Sequence, residues 1–219
     1  MSNVVAVVGM GPGVSLAVAR RFAREGYAVA AVARRADALK EQVDLLAAGG
    51  AQARAFTADS GDAASLVAAL TQIGSQMGEP DVLIYNAAGV RFKPLAELSA
   101  DEFIADLRVS IGGALAASQA VLPAMRKKGR GTLLFTGGGF AFEPMPALAS
   151  LGVGKAGIRN LAFSLFADLK ESGIHAGTVT ICGPVKEGTP FDPSRIAEAY
   201  WTLHAQAPGA FEREIMFKG

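Results

Sequence analysis

The chain has 219 residues, of which 51% are hydrophobic and 19% charged, with a formal net charge of +1. That balance leaves no electrostatic footprint for nucleic acid or an anionic membrane surface, and the length suits one large α/β domain with a well-buried core. The single cysteine, Cys182, excludes an internal disulfide and a multi-cysteine metal site, and the two well-separated histidines, His175 and His204, do not suggest zinc.

The stretch from Ser2 to Ala19 carries no charge, but Gly11-Pro12-Gly13 interrupts it as a helix and no basic residues precede it as in a signal peptide. The expectation is a soluble cytoplasmic protein. Val4–Val8 reads as a strand, followed by a helix over Ser15–Glu25 that stops at Gly26. Val29–Ala33 leads into a helix at Ala36–Ala48, and Ala53–Thr57 into one at Ala63–Met77. Further strands are predicted at Val82–Tyr85, Leu133–Thr136 and Gly177–Ile181, with helices at Asp101–Met125 and Ala156–Lys170. The closing "EREIMFKG" supplies a last strand at a sheet edge. Short apolar strands alternating with amphipathic helices imply βαβ units and a parallel sheet. No linker, low-complexity segment or repeat divides the chain, so residues 1–219 are predicted to form one doubly wound α/β domain with helices on both faces.

Between the first strand and its helix stand Gly9, Gly11 and Gly13, followed by Val14 and Ser15. Glycines let the backbone turn sharply and approach a pyrophosphate, while the helix presents free N–H groups and its positive dipole end. Ser15 occupies the place of a third, packing glycine and offers a hydroxyl to cap the helix or meet a phosphate oxygen. The second strand ends in Arg34 and Arg35 instead of an acidic residue. Guanidinium groups here suit the 2′-phosphate of NADP, so NADP(H) is favoured over NAD(H).

With the glycine loop, Arg34, Asp59 in "FTADSGD" and "NAAG" at 86–89 in line, the chain resembles the short-chain dehydrogenase/reductases from residue 4 to about residue 190. The resemblance implies a Rossmann-type sheet of about seven parallel strands and an NAD or NADP cofactor. It assigns Asp59, with Ser60 beside it, to the adenine, and Asn86, Ala87, Ala88 and Gly89 to the turn beside the adenosine ribose. It also places Thr136, Pro184 and Val185 against the nicotinamide, with Cys182 where a proline is expected.

The family's usual chemistry takes a tyrosine four residues before a lysine and a serine about thirteen residues before that tyrosine. Aligning on Lys155 puts Leu151 at the tyrosine position and Gly138 at the serine position, while Ser110 replaces a helix asparagine. The wider spacing of related enoyl reductases selects Leu148 instead, and the tyrosines present, Tyr27, Tyr85 and Tyr200, lie elsewhere. Leucine transfers no proton and glycine polarises no carbonyl, so the usual acid–base route does not operate as written. Lys155 is the retained member, expected to hold the nicotinamide ribose.

Substitutes are limited. Ser150 adjoins the tyrosine position but points about 100° away on a helix. Glu143 is expected to be a solvated loop charge, and Cys182 a buried strand-end residue without a histidine partner. After Cys182 the chain reaches the next helix within about ten residues, leaving little room for the substrate lid that the family often inserts. An open, wet pocket follows from that. Phe163 lies off the apolar stripe of Ile158, Leu161, Ala162, Leu165, Phe166 and Leu169, and so is available for the four-helix contact that the resemblance implies for a homodimer or homotetramer. Three readings stay open: an NADP(H)-dependent oxidoreductase for a small carbonyl or hydroxyl compound with an altered site, a non-catalytic NADP(H) binder, and a scaffold with a remnant loop.

Overall fold

The computed structural model describes residues 3–219. Seven strands form one sheet: β1 (Val4–Val8), β2 (Ala28–Ala33), β3 (Ala53–Thr57), β4 (Val82–Tyr85), β5 (Gly131–Gly138), β6 (Ile174–Ile181) and β7 (Glu214–Phe217). Their order is β3-β2-β1-β4-β5-β6-β7, and every adjacent pair is parallel. The helices are α1 (Val14–Arg24), α2 (Ala36–Ala48), α3 (Ala63–Met77), α4 (Ala100–Leu107), α5 (Gly113–Lys128), α6 (Ala149–Leu169) and α7 (Pro193–His204).

β1 shows why the sequence folds this way. All five of its residues are buried, which requires cover on both faces. Val4, Ala6 and Val8 join a core with α3, α5 and α6, whereas Val5 and Val7 join a second core with α1, α2 and α7. The period-2 alternation of the strand thus divides one apolar run between two helical layers. In the second core, the buried Phe22 ring meets Tyr27 and Trp201 edge-on, with centroids 5.4 and 5.2 Å away. Truncating such a ring to alanine costs about 3–5 kcal/mol.

The helix predicted over Asp101–Met125 is two helices separated by a π-helical turn at Arg108–Gly112. Two causes act there. Gly112 and Gly113 are weak helix formers, and the buried Tyr85 hydroxyl donates to the Val109 carbonyl, offering it a partner outside the helix. The helix predicted from Ala156 begins seven residues earlier, at Ala149. Gly152 and Gly154 argue against helix locally, but a Cβ on Gly154 would press on Ser110, so close packing of α6 on the π turn overrides propensity. Ile158, Ala162 and Leu169 are buried in the core, Leu161, Leu165 and Phe166 pack against it, and the Phe163 ring is in contact with the guanidinium groups of Arg159 and Arg213. No helix among the described residues is long and apolar enough to cross a membrane.

The order reverses between β1 and β4. Ligand crevices of open α/β sheets form at such a point, outside the carboxyl ends of the strands, and both candidate site cavities lie there.

Candidate active site

The phosphate loop is built on two glycines with positive φ. Gly9 has φ 83°, and a Cβ there would collide with the backbone of Ala87. The amides of Gly9 and Met10 donate to the Val32 carbonyl of β2 at 2.9 and 3.0 Å, while Asn86 Nδ2, just past the tip of β4, donates to the Gly9 carbonyl at 3.1 Å. Gly13, φ 87°, is the N-cap of α1 and brings no side chain to the first turn. The helix therefore keeps unpaired N–H groups and its positive end for an anion. The Ser15 hydroxyl accepts from the Gly11 amide and donates to the Gly11 carbonyl, both at 3.0 Å. It shapes the loop, and its one proton is already committed. A glycine cradle beside an uncapped helix N-terminus fits the pyrophosphate of a dinucleotide.

On one side of this loop is a cavity of about 510 Å³ lined by Gly9, Arg34, Asp59, Ser60 and Asn86 through Gly89. These residues come from four different connections, as the resemblance requires. Asp59 Oδ1 accepts from the Gly61 amide at 2.8 Å, which orients the carboxylate. Arg34 is exposed and makes no ion pair with a described residue, so its guanidinium is available. Arg35 is also exposed, but it is the N-cap of α2 and does not line the cavity. Arg91 and Asp106 line it too. They are joined at 3.3 Å, and nothing in their sequence separation signals the contact.

On the other side is a larger cavity of about 730 Å³, lined by Val14, Thr136, Gly138, Leu151, Lys155, Pro184 and Val185, among others. The two cavities meet at a hydrogen bond from Thr136 Oγ1 to Asn86 Oδ1, 2.8 Å. With its proton so used, Thr136 accepts from the Tyr200 hydroxyl at 2.7 Å. A buried relay thus runs from α7 through β5 and β4 to the carbonyl of Gly9. Sequence reasoning missed Tyr200, because only the packing of α7 under β5 brings it there.

Lys155 Nζ donates to the Thr136 carbonyl at 2.7 Å. Burial without a carboxylate partner brings its ammonium down to about 8. The positions around it carry no acid. Leu151 is 9% exposed and forms apolar wall. Gly138 is extended, φ −167°, and a Cβ there would sit at ordinary contact, 3.5 Å, from the Lys155 stem. Ser110 accepts from the Gly89 amide at 3.0 Å, holding the ribose-side turn. Ser150 turns its hydroxyl to Asp106 Oδ2 at 2.7 Å, away from the larger cavity. Glu143 is exposed at the rim.

One expectation is corrected. Cys182 is only partly buried and lines the larger cavity, because β6 ends at Ile181 and the chain turns outward there. The pocket is open and its wall is mainly apolar, with Phe140, Phe142, Leu151, Ile181, Val185 and Met216 among the residues that line it. The connection from Ile181 to α7 is as short as expected. It folds on itself through the Thr189 hydroxyl, which donates to the Lys186 carbonyl at 2.7 Å, and Phe191 meets Phe217 edge-on.

The family model described as short chain dehydrogenase matches residues 3–197. The chain belongs to the short-chain dehydrogenase family. It is 30% identical over 187 residues to 2-(S)-hydroxypropyl-CoM dehydrogenase 3 of Xanthobacter autotrophicus, covering 83% of this chain and 73% of that protein. It is also 30% identical over 213 residues to 2,3-dihydro-2,3-dihydroxybenzoate dehydrogenase of Bacillus subtilis, covering 97% and 76%. Among solved structures, a metagenomic short-chain oxidoreductase in complex with NADP superposes with a TM-score of 0.88 at 25% identity, over 98% of this chain and 95% of that one. As a short-chain dehydrogenase the chain is unusual at Leu151 and Gly138, which stand where the family resemblance expects the tyrosine and serine.

Proposed function

We propose that this short-chain dehydrogenase binds NADP(H) across the two cavities and transfers hydride to or from a small carbonyl or hydroxyl compound by a route that does not use the family's tyrosine. The supporting observation is the open Arg34 guanidinium at the adenosine-side cavity, next to an uncapped glycine loop. The nucleotide supplies the hydride. This chain's residues orient it: the α1 N-terminus faces the pyrophosphate, Arg34 the 2′-phosphate, and Lys155 the nicotinamide-side ribose. Orientation is the larger part of what hydride transfer asks of a protein. A substrate that brings its own proton, or takes one from water in the open cavity, needs no tyrosine.

Leu151 and Gly138 favour a second reading, a non-catalytic NADP(H) binder. One experiment separates the two: follow NADPH oxidation at 340 nm with small aldehydes and ketones, using the native chain and the Gly138→Ser/Leu151→Tyr variant. Turnover by the native chain supports the first reading. Turnover by the double variant alone supports the second. The chain is also proposed to self-associate through α5 and α6, which sedimentation velocity measures directly.

A further inference from the structure

We infer that in the nucleotide-free protein Lys155 is an amine nucleophile that captures small apolar aldehydes as imines in the larger cavity. Four observations place the chemistry. The lysine lines a cavity of about 730 Å³ whose walls are mainly apolar, from Phe140, Phe142, Leu151, Ile181, Val185 and Met216. The space beside its stem is vacant, because Gly138 has no side chain and a Cβ there would already lie 3.5 Å from the Lys155 Cγ, Cδ and Cε. No carboxylate of a described residue pairs with Nζ; its partner is the Thr136 carbonyl at 2.7 Å, which takes one N–H and leaves the lone pair of the neutral amine unused. Leu151 stands one turn earlier, where a phenol would otherwise meet the lysine and a carbonyl ligand.

Burial keeps the ammonium near 8. Against an ordinary lysine, that is on the order of a hundredfold more free amine at neutral pH. The other titratable groups on this cavity are Glu143, which is exposed, Cys182 and Lys218. The step balances without a redox partner. The amine nitrogen attacks the aldehyde carbon, the carbonyl oxygen leaves as water, and R–CHO + Lys–NH2 gives R–CH=N–Lys + H2O. Addition of Cys182 to the same aldehyde would give a hemithioacetal, which a borohydride does not convert to a stable adduct.

The test uses the full chain without nucleotide. Hexanal is added with cyanoborohydride at pH 7.5, and tryptic peptides are read by mass spectrometry for the hexyl-amine adduct. The expected result is labelling of Lys155 at least tenfold faster than the exposed Lys40 and Lys170, with a rate that climbs to half its plateau near pH 8. Lys155→Met should remove this fast phase and leave the slow one. Labelling of Lys155 no faster than of Lys40, or a fast phase that persists in Lys155→Met, would overturn the inference. If that variant does not fold, the peptide map of the native chain decides alone. The readout does not involve NADPH, so its failure is separate from failure of the nucleotide reading.

Discussion

Thr136 and Tyr200 join the Gly9 loop to α7, which packs on the same face of the sheet as α1, and their hydrogen bond predicts an asymmetry between two conservative substitutions. Tyr200→Phe removes a donor from Thr136 Oγ1, but that hydroxyl keeps Asn86 Oδ1 as its acceptor at 2.8 Å. The loss is that of one ordinary hydrogen bond, about 1 kcal/mol. Thr136→Val strands the Tyr200 hydroxyl, which is fully buried, and deprives Asn86 Oδ1 of its donor as well. An unsatisfied buried polar group adds about 1–3 kcal/mol, so the total is about 3 kcal/mol. In the double variant no tyrosine hydroxyl is left stranded, and about 1–2 kcal/mol should return relative to Thr136→Val. Urea unfolding followed by far-ultraviolet circular dichroism measures all three. For a domain of this size 1 kcal/mol moves Tm by about 2–4 °C, which keeps the ordering readable by heat as well. Equal losses in the two single variants, or strict additivity in the double, would refute the relay.

Gly9→Ala combines an unfavourable positive φ with collision against Ala87; a loss of at least about 2 kcal/mol is expected by chemical denaturation, together with loss of nucleotide binding. Gly138→Ser alone, extended and at ordinary contact distance, should change stability by no more than about 0.5 kcal/mol in the same assay. His204, bonded to Tyr27 and Thr132, is held down to about 4, chiefly by burial and then by the nearby His175. The unfolded chain therefore binds more protons between about pH 4 and 6.5, so stability should fall as pH drops through that window, and His204→Gln should flatten the fall. Lys155, lowered from 10.5 to about 8, works in the same direction at higher pH: its contribution rises between about pH 8 and 10.5, and Lys155→Met should remove that slope from a stability–pH curve.

Much of this architecture was legible because its signals are local. The helices Ala36–Ala48 and Ala63–Met77 end at glycine, and the second starts from the Asp62 cap, so pattern and punctuation coincide. The Gly9 to Ser15 stretch could be read for the same reason: its chemistry is continuous in sequence. The π turn at Arg108–Gly112 could not, since the hydroxyl that engages Val109 comes from Tyr85, on another element. Tyr200 behind Thr136, and Arg91 beside Asp106, were equally invisible, because tertiary packing alone supplies the partner. Leu151 and Gly138 carry no proton donor by residue type alone, yet the sequence does not reveal that Gly138 opens space along the Lys155 stem. The wet pocket was expected from the short connection alone; the apolar wall comes from Phe140, Phe142 and Met216, which lie on other segments.

The roles proposed for Arg34, Lys155 and the glycine loop all rest on a working, phosphate-selective nucleotide site. Titration of the purified chain with NADPH and with NADH, followed by nucleotide fluorescence, tests it most directly, with Arg34→Ala measured in parallel. NADPH should bind more tightly than NADH, and Arg34→Ala should cost NADPH about 1.5–3 kcal/mol, roughly ten- to hundredfold in Kd, with NADH little changed. Equal affinity for the two nucleotides that Arg34→Ala leaves unmoved would contradict the assignment of Arg34, and no binding of either would contradict the nucleotide site itself.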